Sequence, residues 1–257
     1  MLSEFPGHLA QSAGEAGDSL LVVVGGDGTL NEVVNGAPAG EVAILPSGTG
    51  EDFAGTHGIP DDFDEAVRVA LEGTVRTIDL GRVEFAGGGS RVFANVGSAG
   101  MSGAVARRAN AMSKALGGRA TFFYALTREF LAWHNTTVTV ELADGTRRES
   151  PMHDVIVANG RYHGGGMKLA PDASQDDGLF DIVLIGDVNK LDFLTTAPKL
   201  YSGRYLSHPK VEVLSSGSVT IEAREPLPLE VDGEPIGTTP ARFEIVPSAL
   251  RLRVPPA

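Results

Sequence analysis

Gly25-Gly26-Asp27-Gly28-Thr29 sits between an apolar run and a segment of helical character. Residues of these types at this spacing suit phosphate chemistry. Gly26 and Gly28 let the backbone approach an anion closely, and successive amides at a helix N-terminus form a nest for it. Asp27 is placed to orient a ribose or to hold Mg2+ at one remove. This is not a Walker A loop, because no Gly-Lys-Ser/Thr is present, and Asn31 breaks the dinucleotide fingerprint. A tight turn fits the same residues. A second loop, Ser47-Gly48-Thr49-Gly50, follows another apolar run. In a parallel sheet both loops emerge at one edge, where two of them could flank a polyphosphate; alone, the second is also readable as a turn. Near the other end, Asp232-Gly233-Glu234 projects two carboxylates from a turn, and one could accept an alcohol proton during in-line phosphoryl transfer. The alternative is a plain hairpin turn. Asp172, Ser174, Asp176 and Asp177 invite a calcium reading, but the EF-hand glycine position holds Asp177 and no Glu closes the loop. A solvated acidic turn is the other choice.

These groups need elements to position them. Residues 20–24 are a continuous, β-branched-rich run ending at Gly25-Gly26, which predicts a buried parallel strand. A helix over 29–35, a strand over 42–45 and a helix over 64–71 follow, the pattern of a doubly wound α/β unit. Beyond residue 76 the texture changes to strands: 75–85, 91–96, 137–142, 153–158, 180–185, 210–214, 218–223, 227–231 and 241–246. Helical segments near 102–115, 119–132 and 189–202 interrupt them. The expected fold is an α/β nucleotide-binding domain over 1–76 plus an all-β sandwich domain over 77–247. The stripe Phe122, Phe123, Leu126, Phe130, Leu131 and Trp133 has helical spacing and reads as core packing, with an acyl-chain groove as the alternative. Residues 159–166 read as a loop, with His163 structural. No Gly-x-Ser-x-Gly hydrolase elbow is present.

Composition removes several classes of function. The 257 residues are 42% hydrophobic and 21% charged, which is ordinary globular composition. There is no cysteine, so disulfides, thiolate metal sites and Cys nucleophiles are excluded. The longest apolar run is far short of the ~20 residues that cross a bilayer, and no signal peptide is evident, so a cytoplasmic location is expected. The net charge is −12, and the first basic residue is Arg68. Twelve acids precede it, so residues 1–67 carry the whole imbalance. No basic stripe suggests nucleic-acid binding.

Four ordered motifs carry a resemblance. Residues 25–36, Gly-Gly-Asp-Gly-Thr-Leu-Asn-Glu-Val-Val-Asn-Gly, resemble the nucleotide loop of the diacylglycerol kinase catalytic-domain family, especially bacterial lipid kinases. Residues 45–54, Asp176-Asp177-Gly178-Leu179 and Val231-Asp232-Gly233-Glu234 resemble three further motifs of that family. NAD kinases share Gly-Gly-Asp-Gly-Thr, but the continuation points to lipid kinases. The resemblance implies ATP- and Mg2+-dependent phosphorylation of a lipid hydroxyl such as that of diacylglycerol. It implies nucleotide contacts from Ser3, Gly25, Gly26, Asp27, Gly28, Thr29, Leu30, Asn31 and Thr49. It makes Glu234 the proton acceptor with Asp232 its companion, and it gives a structural Mg2+ the Asp177 side chain and the Ser174 and Leu179 carbonyls. Asp79 falls where the family often has another active-site acid. The resemblance also implies that a tail, 248–257, returns to the first domain. Transient contact with a membrane surface and a homodimer are further expectations, with nucleic acid excluded.

The chain also departs from the family pattern. The family's first strand and Asn-Pro-x-Ser-Gly-like loop lie before this sequence begins; Glu51 replaces an Asn, and Gly55 a frequent Arg. A phosphate cleft with surplus negative charge is therefore expected. An active lipid kinase and a kinase-like lipid- or partner-binding protein both follow from this sequence.

Overall fold

The fold comes from a computed structural model that describes residues 3–5, 7–48, 50–112 and 118–256, with the backbone alone at 118–120, 122 and 123. The chain opens with α1 (His8–Glu15), β1 (Leu21–Gly25), α2 (Asp27–Val34), β2 (Glu41–Pro46), α3 (Asp52–Thr56) and α4 (Phe63–Glu72). β1 and β2 are parallel. Val23, Val42 and Ile44 pack with Leu30, Val33 and Val34 of α2, while Ala43 and Leu45 meet Ala66 and Ala70 of α4. Asp62 caps α4 by accepting from the Glu65 amide at 3.0 Å, as an acidic residue before an apolar helical stripe should. β1 was expected to be buried on both faces and is not. It is an edge strand; Val22 and Val24 lie on the α4 side, but α4 covers β2 instead, leaving them 46% and 55% exposed.

Next come β3 (Thr74–Phe85), β4 (Gly89–Phe93), β5 (Val96–Gly100), α5 (Met101–Ala111), α6 (Gly118–Ala132), β6 (Thr136–Leu142), β7 (Arg147–Met152), β8 (Asp154–Ala158), β9 (Tyr162–His163), β10 (Met167–Lys168) and β11 (Phe180–Ile185). α7 (Lys190–Thr196), β12 (Val211–Ser216), β13 (Ser218–Ala223), β14 (Pro228–Val231), β15 (Glu234–Thr238) and β16 (Ala241–Val254) complete the order. One sheet runs β12-β11-β8-β5-β14-β15. It faces β4, β3, β16, β13, β6 and β7 across a core in which Phe93 stacks on Phe180 at 5.8 Å and meets Phe243 edge-on at 6.0 Å. The α/β layer and the β-sandwich are thus both present.

The two layers are sewn together by β3 and β16. They pair antiparallel from Ala241↔Phe85 to Val254↔Thr74, with an irregularity between Val246 and Leu250. The first part of β16 also pairs with β13, and Arg251 and Leu252 pair in parallel with Glu41 and Val42 of β2. A single sheet therefore passes from the sandwich into the α/β layer, and residue 76 lies inside a continuous strand.

Candidate active site

The two glycine-rich loops touch backbone to backbone. The Asp27 amide donates to the Gly50 carbonyl at 2.9 Å, and the Ser47 amide to Gly25 at 3.2 Å. A Cβ on Gly26 would lie 2.4 Å from that Gly50 oxygen, so glycine is required there. At Gly28 a Cβ would meet open space, which is the room a ligand needs. Thr29 folds back over Gly25, and the Leu30 side chain lies in the core, so its nucleotide contact could come only from the backbone. Thr49 lies outside the described residues.

Asp27 does not project into the cleft as a free carboxylate. Its two oxygens accept from the Asp52 and Phe53 amides at 3.1 and 3.0 Å, capping α3. Burial raises its pKa, with the two amide bonds pulling the other way. Asn31 is likewise engaged within the protein: its Nδ2 donates to Asp232 Oδ2 at 2.9 Å and to the Val92 carbonyl at 3.3 Å. These bonds cross from α2 to the sandwich.

The turn between β14 and β15 has positive φ at both central residues, 48° at Asp232 and 84° at Gly233, as a tight two-residue hairpin demands. Its two carboxylates have different surroundings. Asp232 accepts from Asn31, Ala94, Asn95 and Val96 at 2.8–3.1 Å, so both its oxygens hold backbone and Asn31 in place. Burial raises its pKa against those bonds. Glu234 is exposed and, among the described residues, accepts a bond of 3.3 Å from Asn110 Nδ2 of α5. Of the pair, Glu234 is the one open to solvent.

Three residues not singled out as site residues from sequence close a ring around this cleft. Asp52 accepts from the Gly165 and Gly166 amides at 2.9 and 2.6 Å. His163, at the head of the same loop, places Nε2 3.4 Å from Glu230 Oε1. Glu230, 1% exposed, also accepts from Ser98 Oγ at 2.9 Å and from the Gly233 amide at 2.7 Å. The ring thus runs from Asp27 through Asp52, the 163–166 loop, Glu230 and Asp232 to Asn31, one helical turn from its start. Burial disfavours the His163 cation, but Glu230, aided by Asp232 and Asp52, outweighs it and pushes the pKa up to about 9. For the 163–166 segment of the ring, the legible trace in sequence is the run Gly164-Gly165-Gly166 beside a histidine.

The remaining expected residues lie apart from that ring. Asp177 Oδ1 accepts from the Leu179 amide at 3.0 Å, and Ser174 Oγ donates to Asp176, which is paired with Arg76 at 2.5 Å. Asp79 is a clamp: its oxygens hold the Gly178 amide at 2.9 Å and the Ser248 amide at 2.7 Å, tying the acidic loop to the irregular point of β16. Ser3 is exposed, and its described hydroxyl bond is local, to the Phe5 carbonyl at 3.4 Å.

A glycine-loop α/β layer joined to a β-sandwich, with an acidic hairpin turn facing the loops, defines the class of two-domain lipid- and NAD-kinase-like proteins. Residues 3–83 match the diacylglycerol kinase catalytic domain, and residues 95–254 the YegS C-terminal NAD kinase beta sandwich-like domain. The chain belongs to this family. It is 35% identical to a probable lipid kinase YegS-like of Chromohalobacter salexigens, over 96% of this chain and 80% of the relative. It is 29% identical to a diacylglycerol kinase of Bacillus subtilis, over 92% and 78%. Among solved structures it resembles a putative diacylglycerol kinase from Bacillus anthracis, with TM-score 0.77, 25% identity and coverage of 99% and 84%. A yeast NADH kinase shares the fold, with TM-score 0.51 at 15% identity.

Proposed function

We propose that this chain transfers the γ-phosphoryl group of ATP to the hydroxyl of a membrane lipid, with diacylglycerol the first substrate to test. The observation that supports it most is the pair of unequal carboxylates on one turn. Asp232, locked by Asn31 of α2, fixes the turn against the glycine loops, and Glu234, two residues on, is exposed as the base. Asp232 and Asn31 are then positioning residues, and the open space at Gly28 receives phosphate. The acidic loop suits a structural Mg2+: its donors are hard oxygens, and the half-buried Asp181 has its pKa raised by burial and then by the neighbouring charges of Asp177 and Asp172. The Asp177 side chain and the Ser174 and Leu179 carbonyls would hold the ion, which when bound would stiffen this loop.

The test is transfer of labelled phosphate from ATP to diacylglycerol in mixed micelles. Glu234→Gln should lower kcat by roughly 10²-fold or more with the KM for ATP nearly unchanged, since it removes the base and little else. Undiminished turnover in that variant would reject the base. A second reading, a kinase-like protein with impaired nucleotide binding, is favoured by one contact. Glu51 Oε1 accepts from the Gly48 amide at 3.2 Å, so a carboxylate already occupies a donor of the second glycine loop.

A further inference from the structure

α5, α6 and α7 form a helical layer beside the candidate base. α5 carries Asn110, which touches Glu234, and is bridged to α6 by the Arg108–Glu129 pair. α6 meets α7 through Phe130 stacked on Phe193 at 4.7 Å, and Lys190 Nζ donates to the Leu131 carbonyl at 2.5 Å. The inner side of this layer is accounted for: Met101, Val105 and Ala125 are buried, with Leu126, Phe130, Trp133 and Phe193 packed against them. Its outer side is not. Leu191 is 70% exposed and Leu194 60%, three residues apart on one face of α7, and Leu131 beside them is 57% exposed. Tyr201, in the 3-10 turn that follows α7, is also exposed. The aromatic–leucine stripe expected to be core thus divides, with Leu131 facing out; the Phe122 and Phe123 side chains lie outside the described residues.

Charge argues for what covers this face. The chain carries −12 overall, yet residues 189–210 hold Lys190, Lys199, Arg204 and Lys210 against the single acid Asp192. Asp192 is bound by Lys210 at 2.7 Å. Lys190, Lys199 and Arg204 are all exposed, Lys190 beside Leu131 and the other two in the turns that follow α7. Exposed leucines and a tyrosine in a locally basic segment, on an otherwise acidic protein, match an interface of anionic headgroups over acyl chains.

We propose that the face formed by Leu131, Leu191, Leu194, Tyr201, Lys199 and Arg204 docks on an anionic membrane surface. The leucines enter the headgroup–acyl boundary while the cations meet lipid phosphates. The helical layer that carries this face also touches Glu234, through Asn110 of α5, which links the docking face to the base. The inference extends the lipid-kinase reading by naming the surface through which substrate arrives.

The test is cosedimentation of the full chain, without ATP, with vesicles of 30% phosphatidylglycerol in phosphatidylcholine and with pure phosphatidylcholine. Binding is expected to the anionic vesicles, weakening as salt rises. Leu191→Ser with Leu194→Ser, and separately Lys199→Glu with Arg204→Glu, should each cut it at least tenfold while the circular dichroism spectrum and Tm stay unchanged. Failure of the unmodified chain to sediment with anionic vesicles, or undiminished binding by both variants, would overturn the proposal. So would a solution dimer that the same substitutions dissolve, because the face would then be an interface between copies. The kinase reading fails or stands separately. A chain that binds vesicles but phosphorylates no lipid keeps this surface; one that phosphorylates a water-soluble short-chain diacylglycerol but ignores vesicles loses it.

Discussion

Glu51 and His163 are single side chains with opposite electrostatic effects on the cleft. Glu51 holds the Gly48 amide and adds negative charge beside the second glycine loop. At an effective dielectric near 20, a unit charge about 6 Å from a phosphate costs on the order of 2–3 kcal/mol before screening. Glu51→Asn should therefore tighten Mg-ATP binding by roughly one to two powers of ten, read by calorimetric titration at low salt, and no gain would sink the idea. His163 is the compensating cation. Its folded pKa of about 9 exceeds its unfolded value of 6.5, so its contribution is complete below pH 6.5 and is lost as pH rises through 9. His163→Gln should cost about 2–3 kcal/mol at pH 6, and the gap to the unmodified chain should close toward pH 10. Calorimetric unfolding across that range checks this; a gap of constant size would show that the Glu230–His163 pair is not ionic.

The glycine loops act as a pair, and Gly26, at their contact, and Gly28, away from it, should respond differently to an added side chain. Gly26→Ala forces a Cβ against the Gly50 carbonyl and should destabilise by about 1–3 kcal/mol. Gly28→Val meets no neighbouring atom, so thermal stability should hold while ATP affinity falls. Equal Tm losses in both variants would contradict the assigned open space. Elements with strong local signals were legible in sequence: 180–185 and 218–223 are strands as read, because β-branched and apolar residues alternate between turns. β7 was missed because Arg147-Arg148-Glu149-Ser150-Pro151 is polar, as suits an outer strand. β15 was missed because Pro235 and Gly237 mask a short strand held by its hairpin. The site was legible as motifs, since Gly-Gly-Asp-Gly-Thr and Val-Asp-Gly-Glu are local. Which carboxylates stay open to solvent was not legible: Asp27, Asp52, Asp79 and Asp232 all bind backbone amides, and the partners of Asp52, Asp79 and Asp232 come from remote parts of the chain.

At the scale of the molecule, β3 and β16 leave no seam between the α/β layer and the sandwich. Thermal unfolding should therefore be one cooperative transition, with calorimetric and van't Hoff enthalpies equal. Two resolved transitions would show that the layers separate. A strand shared in this way also sets a timetable for synthesis. β2 is made early, but β16, its neighbour at Glu41 and Val42, is made after every other element. At ~5–20 residues per second, the ribosome leaves that side of the first sheet unpaired for roughly ten seconds or more. During this interval the nascent chain presents an open strand edge and the apolar residues Val42 to Leu45, features that recruit holding chaperones. Ribosome-arrested chains ending before Ala241 should stay open to proteolysis across residues 21–46, and chains that include β16 should resist it. Completion of the α/β layer is thus deferred until β16 has been made.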